Sequence, residues 1–242
     1  MEWIALLFLI VAMLYASVGH AGASGYLAVM ALYGFAPEVM KPTALVLNIA
    51  VATVATIQYF RAGAFSFKIL LPLILASIPM AYIGGTLSLP AHLYKPIIGI
   101  VLLYATLYSF RRSFGVQNDE VRPVSVFTLG VVGAVLGLLS GLTGVGGGIF
   151  LSPLLLWQRW ANVRTISGIS AWFIWVNSIA GLIGVMQKGA TLPSNLPLWV
   201  ICVLIGGSIG AHYGARHLNH VWIKRALSVV LLIAGGKMLL AV

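Results

Sequence analysis

The chain has 242 residues, of which 61% are hydrophobic and only 7% are charged, and its mean hydropathy is +1.05. Because an average soluble domain carries about 25% charged residues, this composition excludes an ordinary soluble domain and predicts helices that face lipid or one another. The net charge of +10 comes from Lys and Arg residues scattered singly between apolar stretches. This pattern excludes a nucleic-acid-binding face and follows the positive-inside rule of membrane proteins.

Five apolar elements make up the first half of the chain, residues 1–110, which we interpret as an N-terminal repeat. The second element is about ten residues long, whereas about 20 residues are needed to cross the hydrocarbon. A glycine-rich break separates it from the first, so the two together predict a broken or re-entrant helix pair. Three longer helices follow. The predicted elements are Trp3–Val18, Gly25–Gly34, Pro42–Phe60, Ile69–Leu87 and Pro96–Phe110.

The second half, residues 123–242, has the same order of elements and follows a polar segment, residues 111–122, that we interpret as a cytoplasmic linker. Its first element again meets a glycine-rich break and then a short apolar segment. The predicted elements are Val124–Leu139, Gly148–Trp157, Thr165–Met186, Leu196–Gly214 and Trp222–Val242.

The two halves align residue by residue, which indicates an internal duplication. Asn48 pairs with Asn177, 129 residues later, and the same shift pairs Lys95 with Lys224. Small residues spaced by four also align, and such faces let membrane helices approach closely. These faces could pack inside one protomer or between two, so a homodimer stays open. They are Ser77, Ala81 and Gly85 in one half, and Gly206, Gly210 and Gly214 in the other.

The distribution of positive charge predicts that the second repeat is inverted relative to the first. With five elements per half, ten Lys and Arg residues fall on one side and only Lys41, Lys95, Lys188 and Lys237 on the other. If each broken helix pair counted as a single membrane span, seven Lys and Arg residues would fall on each side, and the charge distribution would show no bias. The positive-inside rule favours the inverted arrangement, with both termini on the non-cytoplasmic side of the cell (inner) membrane.

The two glycine-rich breaks are the candidate substrate site. Inverted repeats with broken helices at matching positions are typical of secondary transporters, whose site lies near the membrane midplane. The short helices would direct unpaired N–H groups and positive dipole ends at an anion. Packing alone is the alternative explanation of such glycine runs. The candidate residues of the breaks are Ser17, Gly19, His20, Gly22, Ser24, Gly25, Ser140, Thr143, Gly144, Gly146, Gly147 and Gly148.

Further candidates lie on the long helices. Asn48 and Asn177 occupy matching positions, and a buried amide needs a partner, which could be substrate or a neighbouring helix. Ser170 would share one face with Asn177, and Trp172 is the tryptophan most suited to contact substrate, although tryptophans are more often interface anchors. His20 could serve proton coupling or bind an oxyanion, or could simply bond to a backbone carbonyl.

Several activities are excluded by missing residues. The four carboxylates, Glu2, Glu38, Asp119 and Glu120, all fall in predicted loops or at the terminus, which argues against a cation substrate. We find no metal-ligand cluster, cofactor motif or paired catalytic acids, so we expect no metal, no cofactor and no enzymatic activity. The run from Gly144 to Gly148 lacks the Lys-Ser or Lys-Thr ending of a phosphate loop, which excludes an ATP-driven pump.

Two segments resemble the TauE/SafE family of sulfite exporters: SGLTGVGGGIFLSP, from Ser140 to Pro153, and ISAWFIWVNSIAGLIG, from Ile169 to Gly184. The first half agrees in KPTALVLN, from Lys41 to Asn48, and in RAGAF, from Arg61 to Phe65. The resemblance implies transport of a sulfur-containing anion such as sulfite or an organosulfonate. It also implies a cysteine mechanism in some relatives, but the lone Cys202 matches no such motif.

We therefore expect an all-α, multi-pass integral membrane protein that works as a secondary transporter of a small sulfur-containing oxyanion. Its partners would be that anion and the lipid bilayer. The rival functions are an anion channel, which could use the same helix ends, and a permease for another small organic anion.

Overall fold

The computed structural model describes residues 2–16, 20–111 and 121–214, together with the single residues 232 and 239. This part of the chain is helical and contains no strand. The last predicted element, Trp222–Val242, and most of the linker 111–122 lie outside the described residues. The helices are α1 Glu2–Ala16, α2 Ala23–Leu32, α3 Pro37–Arg61, α4 Phe67–Thr86, α5 Ala91–Arg111, α6 Val126–Thr143, α7 Gly148–Trp157, α8 Val163–Met186 and α9 Leu196–Gly214.

The two short helices predicted from the sequence are present, one in each half. Helices α2 and α7 each have ten residues, so each rises about 15 Å, half the thickness of the hydrocarbon. Helix α7 has the predicted bounds, whereas α2 begins at Ala23, two residues earlier than predicted. By contrast α3, with 25 residues, rises about 37 Å and can cross the membrane.

Two helices begin earlier than predicted because an earlier proline starts them. Proline fits the first turn of a helix, where its missing N–H is not needed. Pro37 occupies this place in α3, and the carbonyl of Pro90 accepts the first bonds of α5. Pro42 and Pro96, where we had placed the helix starts, therefore lie inside the helices. As a result Glu38 lies in the first turn of α3 rather than in a loop.

The described halves pack against each other symmetrically, so that the pattern of helix contacts is the same when the two halves are exchanged. Helix α4 of the first half packs along α6 of the second, and α9, the counterpart of α4, packs along α1, the counterpart of α6. The two central helices, α3 and α8, pack against one another. Each half thus completes the other, and neither forms a separate compact unit.

Glycines bring the backbones of these helix pairs into direct contact. A Cβ atom on Gly137 or Gly141 of α6 would collide with the backbone of Ser77 or Ala81 on α4. On the other side of the bundle, a Cβ on Gly210 of α9 would collide with the backbone of α1. The small-residue faces of α4 and α9 therefore pack inside one chain, and they lend no support to a homodimer.

The outer surface is apolar, as a lipid-facing surface must be. Among the described helices, four are long and apolar enough to cross a membrane: α3, α4, α6 and α8. Large apolar side chains such as Leu75 on α4 and Phe127 on α6, which is 82% exposed, lie on the surface. The described chain therefore fits a multi-pass membrane protein.

Candidate functional site

The first break runs up to the start of α2 and is closed by tyrosines. Gly22 precedes α2 with a φ of 101°, a left-handed conformation that glycine adopts readily. Wholly buried Tyr26 reaches back over it and donates its hydroxyl to the carbonyl of Ala21 at 2.8 Å. The hydroxyls of Ser24 and Tyr15 are 2.7 Å apart and share a hydrogen bond. Of the residues predicted here, Ser17 and Gly19 lie outside the described part of the chain.

The second break is built from three glycines in left-handed conformations. Gly144, Gly146 and Gly147 have φ angles of 78°, 80° and 76°, which explains why the chain can turn so tightly between α6 and α7. The hydroxyl of Thr143 donates to the carbonyl of Leu139 at 2.6 Å, and the same oxygen accepts from the amide of Val145 at 3.3 Å. The break therefore has a fixed shape.

Asn48 of α3 ties the second break to the centre of the bundle. Its side-chain nitrogen donates to the carbonyl of Val145 at 3.2 Å and lies 3.5 Å from the hydroxyl oxygen of Ser178 on α8. The residue is wholly buried, and among the described residues its Oδ1 has no hydrogen-bond partner. A buried acceptor without a partner is unfavourable, so this oxygen is suited to a water molecule or to a ligand that can donate a hydrogen bond.

Both breaks and Asn48 meet at one small cavity. The cavity has a volume of about 20 Å³, enough for about one water molecule. It is closed on one side by apolar Ile149 and Ile174. Its lining includes polar side chains and backbone groups of the breaks, which belong to Tyr15, His20, Gly22, Ser24, Asn48 and Val145.

Some predicted residues support this cavity without lining it. A Cβ on Gly25 would collide with Val11, and one on Gly148 would collide with Ile174. A Cβ on Gly147 would lie 2.7 Å from the ring of Phe173. These glycines therefore serve close packing of the short helices. Ser140, buried near the end of α6, has a hydroxyl with no hydrogen-bond partner among the residues that the structure describes.

Other predicted residues lie apart from the cavity. Asn177 donates to the carbonyl of Phe173, one turn back on its own helix, at 2.8 Å. Ser170 shares a hydrogen bond with Ser152 of α7 at 2.7 Å. Trp172 packs in an aromatic cluster with Phe60 and Trp175. Asn48 and Asn177 thus occupy matching positions in the aligned sequence but form different hydrogen bonds.

A second, larger cavity was missed in the sequence. It has a volume of about 220 Å³ and lies between the start of α3, the end of α4 and the end of α8. Lys41 lines it, only 8% exposed, and its ammonium donates to three backbone carbonyls. From the sequence, Lys41 is predicted to lie in a loop, and it serves only in the count of charges on each side of the membrane. The internal repeat could have indicated that Lys41 is buried, because the shift of 129 aligns it with Ser170, which is buried.

The groups that line the small cavity can bind a small polar solute. They are hydroxyls, an amide, a histidine and glycine backbone, which form hydrogen bonds. The described residues contain no group of three His, Cys, Asp or Glu side chains that could hold a metal ion.

Comparisons with known proteins match the chain to one family and to two related proteins. The family model described as "Sulfite exporter TauE/SafE" matches residues 4–238. A protein of Sinorhizobium fredii, described as a probable membrane transporter protein, is 39% identical over 240 residues, which cover 98% of this chain and 97% of that one. Another so described, from Methanocaldococcus jannaschii, is 30% identical over 110 residues, 44% of this chain and 40% of that one. No solved structure matches the chain significantly.

Proposed function

Because the chain belongs to the TauE/SafE family and is a multi-pass membrane transporter, we propose that it is a secondary transporter of a small sulfur-containing oxyanion, sulfite or an organosulfonate. The observation that carries this proposal is the meeting of both breaks and Asn48 at one small cavity. In secondary transporters the substrate site lies where broken helices of two repeats meet.

The anion is bound mainly by neutral groups. Helices α2 and α7 begin at the two breaks, and the positive ends of their dipoles favour a negative charge there. The amide nitrogen of Asn48 already donates to the carbonyl of Val145, so the hydroxyl of Ser24 and the ring of His20 are the side-chain groups that add hydrogen bonds. Neutral donors of this kind can hold an anion and still release it, which a transporter requires.

The described conformation leaves little room at the site. A cavity of about 20 Å³ holds about one water molecule, so the site must widen to admit an oxyanion. Rocking of one repeat against the other would widen it alternately toward each side.

The positions of charged residues indicate which loops share one side of the membrane, and they support inverted repeats. Lys41 and Lys188 line the same cavity, and the amide of Arg122 donates to the carbonyl of Arg159 at 2.7 Å. The arrangement with five elements per half puts each of these pairs on one side of the membrane. If each broken pair counted as one span, both pairs would be split. The inverted arrangement also places both termini on the non-cytoplasmic side.

A flux measurement with two matched glycine variants tests the proposal. Purified protein is reconstituted into vesicles, and sulfite flux is measured against concentration for wild type, Gly146→Ala and Gly63→Ala. Both glycines have left-handed φ angles, 80° and 64°, but a Cβ at Gly146 would lie 2.8 Å from the Asn48 nitrogen, whereas Gly63 faces open space. We expect saturable flux in wild type and Gly63→Ala, and flux reduced at least about tenfold in Gly146→Ala.

The possible outcomes separate the rival functions. Flux that rises linearly with concentration and voltage would indicate a channel. Flux of carboxylates but not of sulfite, sulfoacetate or taurine would indicate a permease for another organic anion. If no anion moves through a correctly inserted wild-type protein, the transporter proposal fails for all of them.

A further inference from the structure

The larger cavity carries a positive charge at one end of the bundle. The charged side chains that line it are Lys41, Lys188 and Glu38, two positive and one negative, which leaves a net charge of +1. Ser88 and Thr191 add hydroxyl groups to the lining. With a volume of about 220 Å³ it is smaller than a site for a drug-sized molecule, and its size suits a solute of a few heavy atoms.

Lys41 holds its charge at a fixed place in this cavity. Its ammonium donates to the carbonyls of Gly84, Gly85 and Leu87 at 3.0, 3.2 and 3.1 Å. These carbonyls lie at the end of α4, where a positive charge is favoured by the helix dipole. Capping of α4 accounts for the position of the lysine. It does not remove the charge, because the partners are neutral carbonyls and not a carboxylate.

The cavity ends at the second break. Leu142 forms part of its lining, and the hydroxyl of Tyr94, which also lines it, donates to the carbonyl of Thr143 at 3.0 Å. A Cβ on Gly144 would lie 3.1 Å from the carbonyl oxygen of Lys41. Asn48 lies two helical turns further along α3, about 10 Å away. The cavity is therefore adjacent to the candidate site and separated from it by the break.

We propose that this cavity is an entry subsite, in which Lys41 and Lys188 bind the transported anion before it reaches the breaks. The inference rests on the proposed function, since it assigns a second binding position to the same small oxyanion. Lys188 is exposed and attracts the anion from solution. The three N–H groups of buried Lys41 all donate to backbone carbonyls, so Lys41 contributes positive charge and no hydrogen bond to the anion. A site of this kind raises the local concentration of substrate and accelerates its association.

Charge changes at Lys188 test the subsite without disturbing the core. Sulfite flux is measured for Lys188→Gln and Lys188→Glu in vesicles, with sulfite supplied on the side that carries Lys188. The control is Lys68→Glu, an exposed lysine in the first turn of α4, at the opposite end from the cavity. At low salt we expect KM to rise about threefold in Lys188→Gln and about tenfold in Lys188→Glu, with kcat unchanged. Since salt screens exposed charges, the differences should shrink at about 0.3 M salt.

The outcomes distinguish this inference from the proposed function. If wild type transports sulfite but Lys188→Glu and Lys68→Glu have the same KM at low salt, the subsite is wrong and the transporter stands. If Lys188→Glu lowers kcat and not KM, Lys188 acts on the conformational change and the subsite is again wrong. Absence of saturable anion flux in wild type would overturn both.

Discussion

Asn48 is the residue that joins the two glycine-rich breaks to the centre of the bundle. It belongs to a central helix, bonds to the second break through Val145 and lines a cavity formed with the first break. In the described part of the chain its side-chain oxygen has no partner, although the residue is wholly buried. The same is true of Asn177, which lies apart from the cavity. The binding role that we propose for Asn48 therefore rests on its position at the cavity and not on the unpaired oxygen alone.

Replacing Asn48 by leucine should damage transport more than stability. The substitution removes the donor to the carbonyl of Val145, and a buried carbonyl that loses its partner costs about 1–3 kcal/mol. We expect a lower Tm and sulfite flux reduced by more than that loss of folded protein explains. The control is Thr53→Val on the same helix, which loses the bond from Trp175 at 3.0 Å. Equal flux in the two variants, per folded protein, would refute a binding role for Asn48.

At the scale of elements, close contact between backbones holds the bundle together. Lipid tails are as apolar as leucine, so membrane helices associate through packing and hydrogen bonds and not through burial from water. Here α6 presents glycines at intervals of four residues to α4, and α9 does the same to α1. These interfaces join one half to the other, so their strength limits how the halves can move.

Two glycines on α6 provide a matched test of this packing. A Cβ on Gly137 would collide with the backbone of Ser77, whereas one on Gly130 meets nothing within 4 Å. We expect Gly137→Val to lower the Tm strongly, because overpacking costs about 1–3 kcal/mol or more and backbone cannot yield as a side chain can. Gly130→Val should change the Tm little. Similar melting of the two variants in detergent would show that the contact contributes nothing.

Local patterns explain which elements could be predicted from the sequence. The glycine run from Gly144 to Gly148 indicated a turn and a new helix, and α7 begins at Gly148. Pro42 misled the prediction, because a proline can sit inside a helix as well as start one. The bond between Asn48 and Val145 joins residues 97 positions apart, and no local pattern specifies that contact.

At the scale of the whole molecule, the question is which loops face the same side. The loop after α4 and the loop after α8 meet at the larger cavity through Leu87 and Lys188. The alignment predicted this meeting only through charge counts. The contacts between the two halves could not be predicted from the sequence. Side-chain and backbone packing decides which residues of one half lie against which residues of the other, and only the structure shows it.

Labelling of single cysteines tests the inverted arrangement. In a Cys202→Ser background, we expect Ser88→Cys and Ser194→Cys to react with an impermeant thiol reagent from the outside of intact cells. Ser66→Cys, in the loop between α3 and α4, should react only after the membrane is opened. Labelling of Ser88→Cys and Ser194→Cys from opposite sides would exclude the inverted repeat.

The thinness of the partition between the two cavities has an electrical consequence. Leu142 lines one cavity and Val145 the other, so only Thr143 and Gly144 separate them along the chain. If water fills the larger cavity, the membrane voltage falls mainly across this short partition and the closed region beyond it. An anion with one charge that passes there gains or loses about 2.3 kcal/mol per 100 mV. An interior-negative cell would then drive such an anion outward, unless a coupled ion compensates its charge.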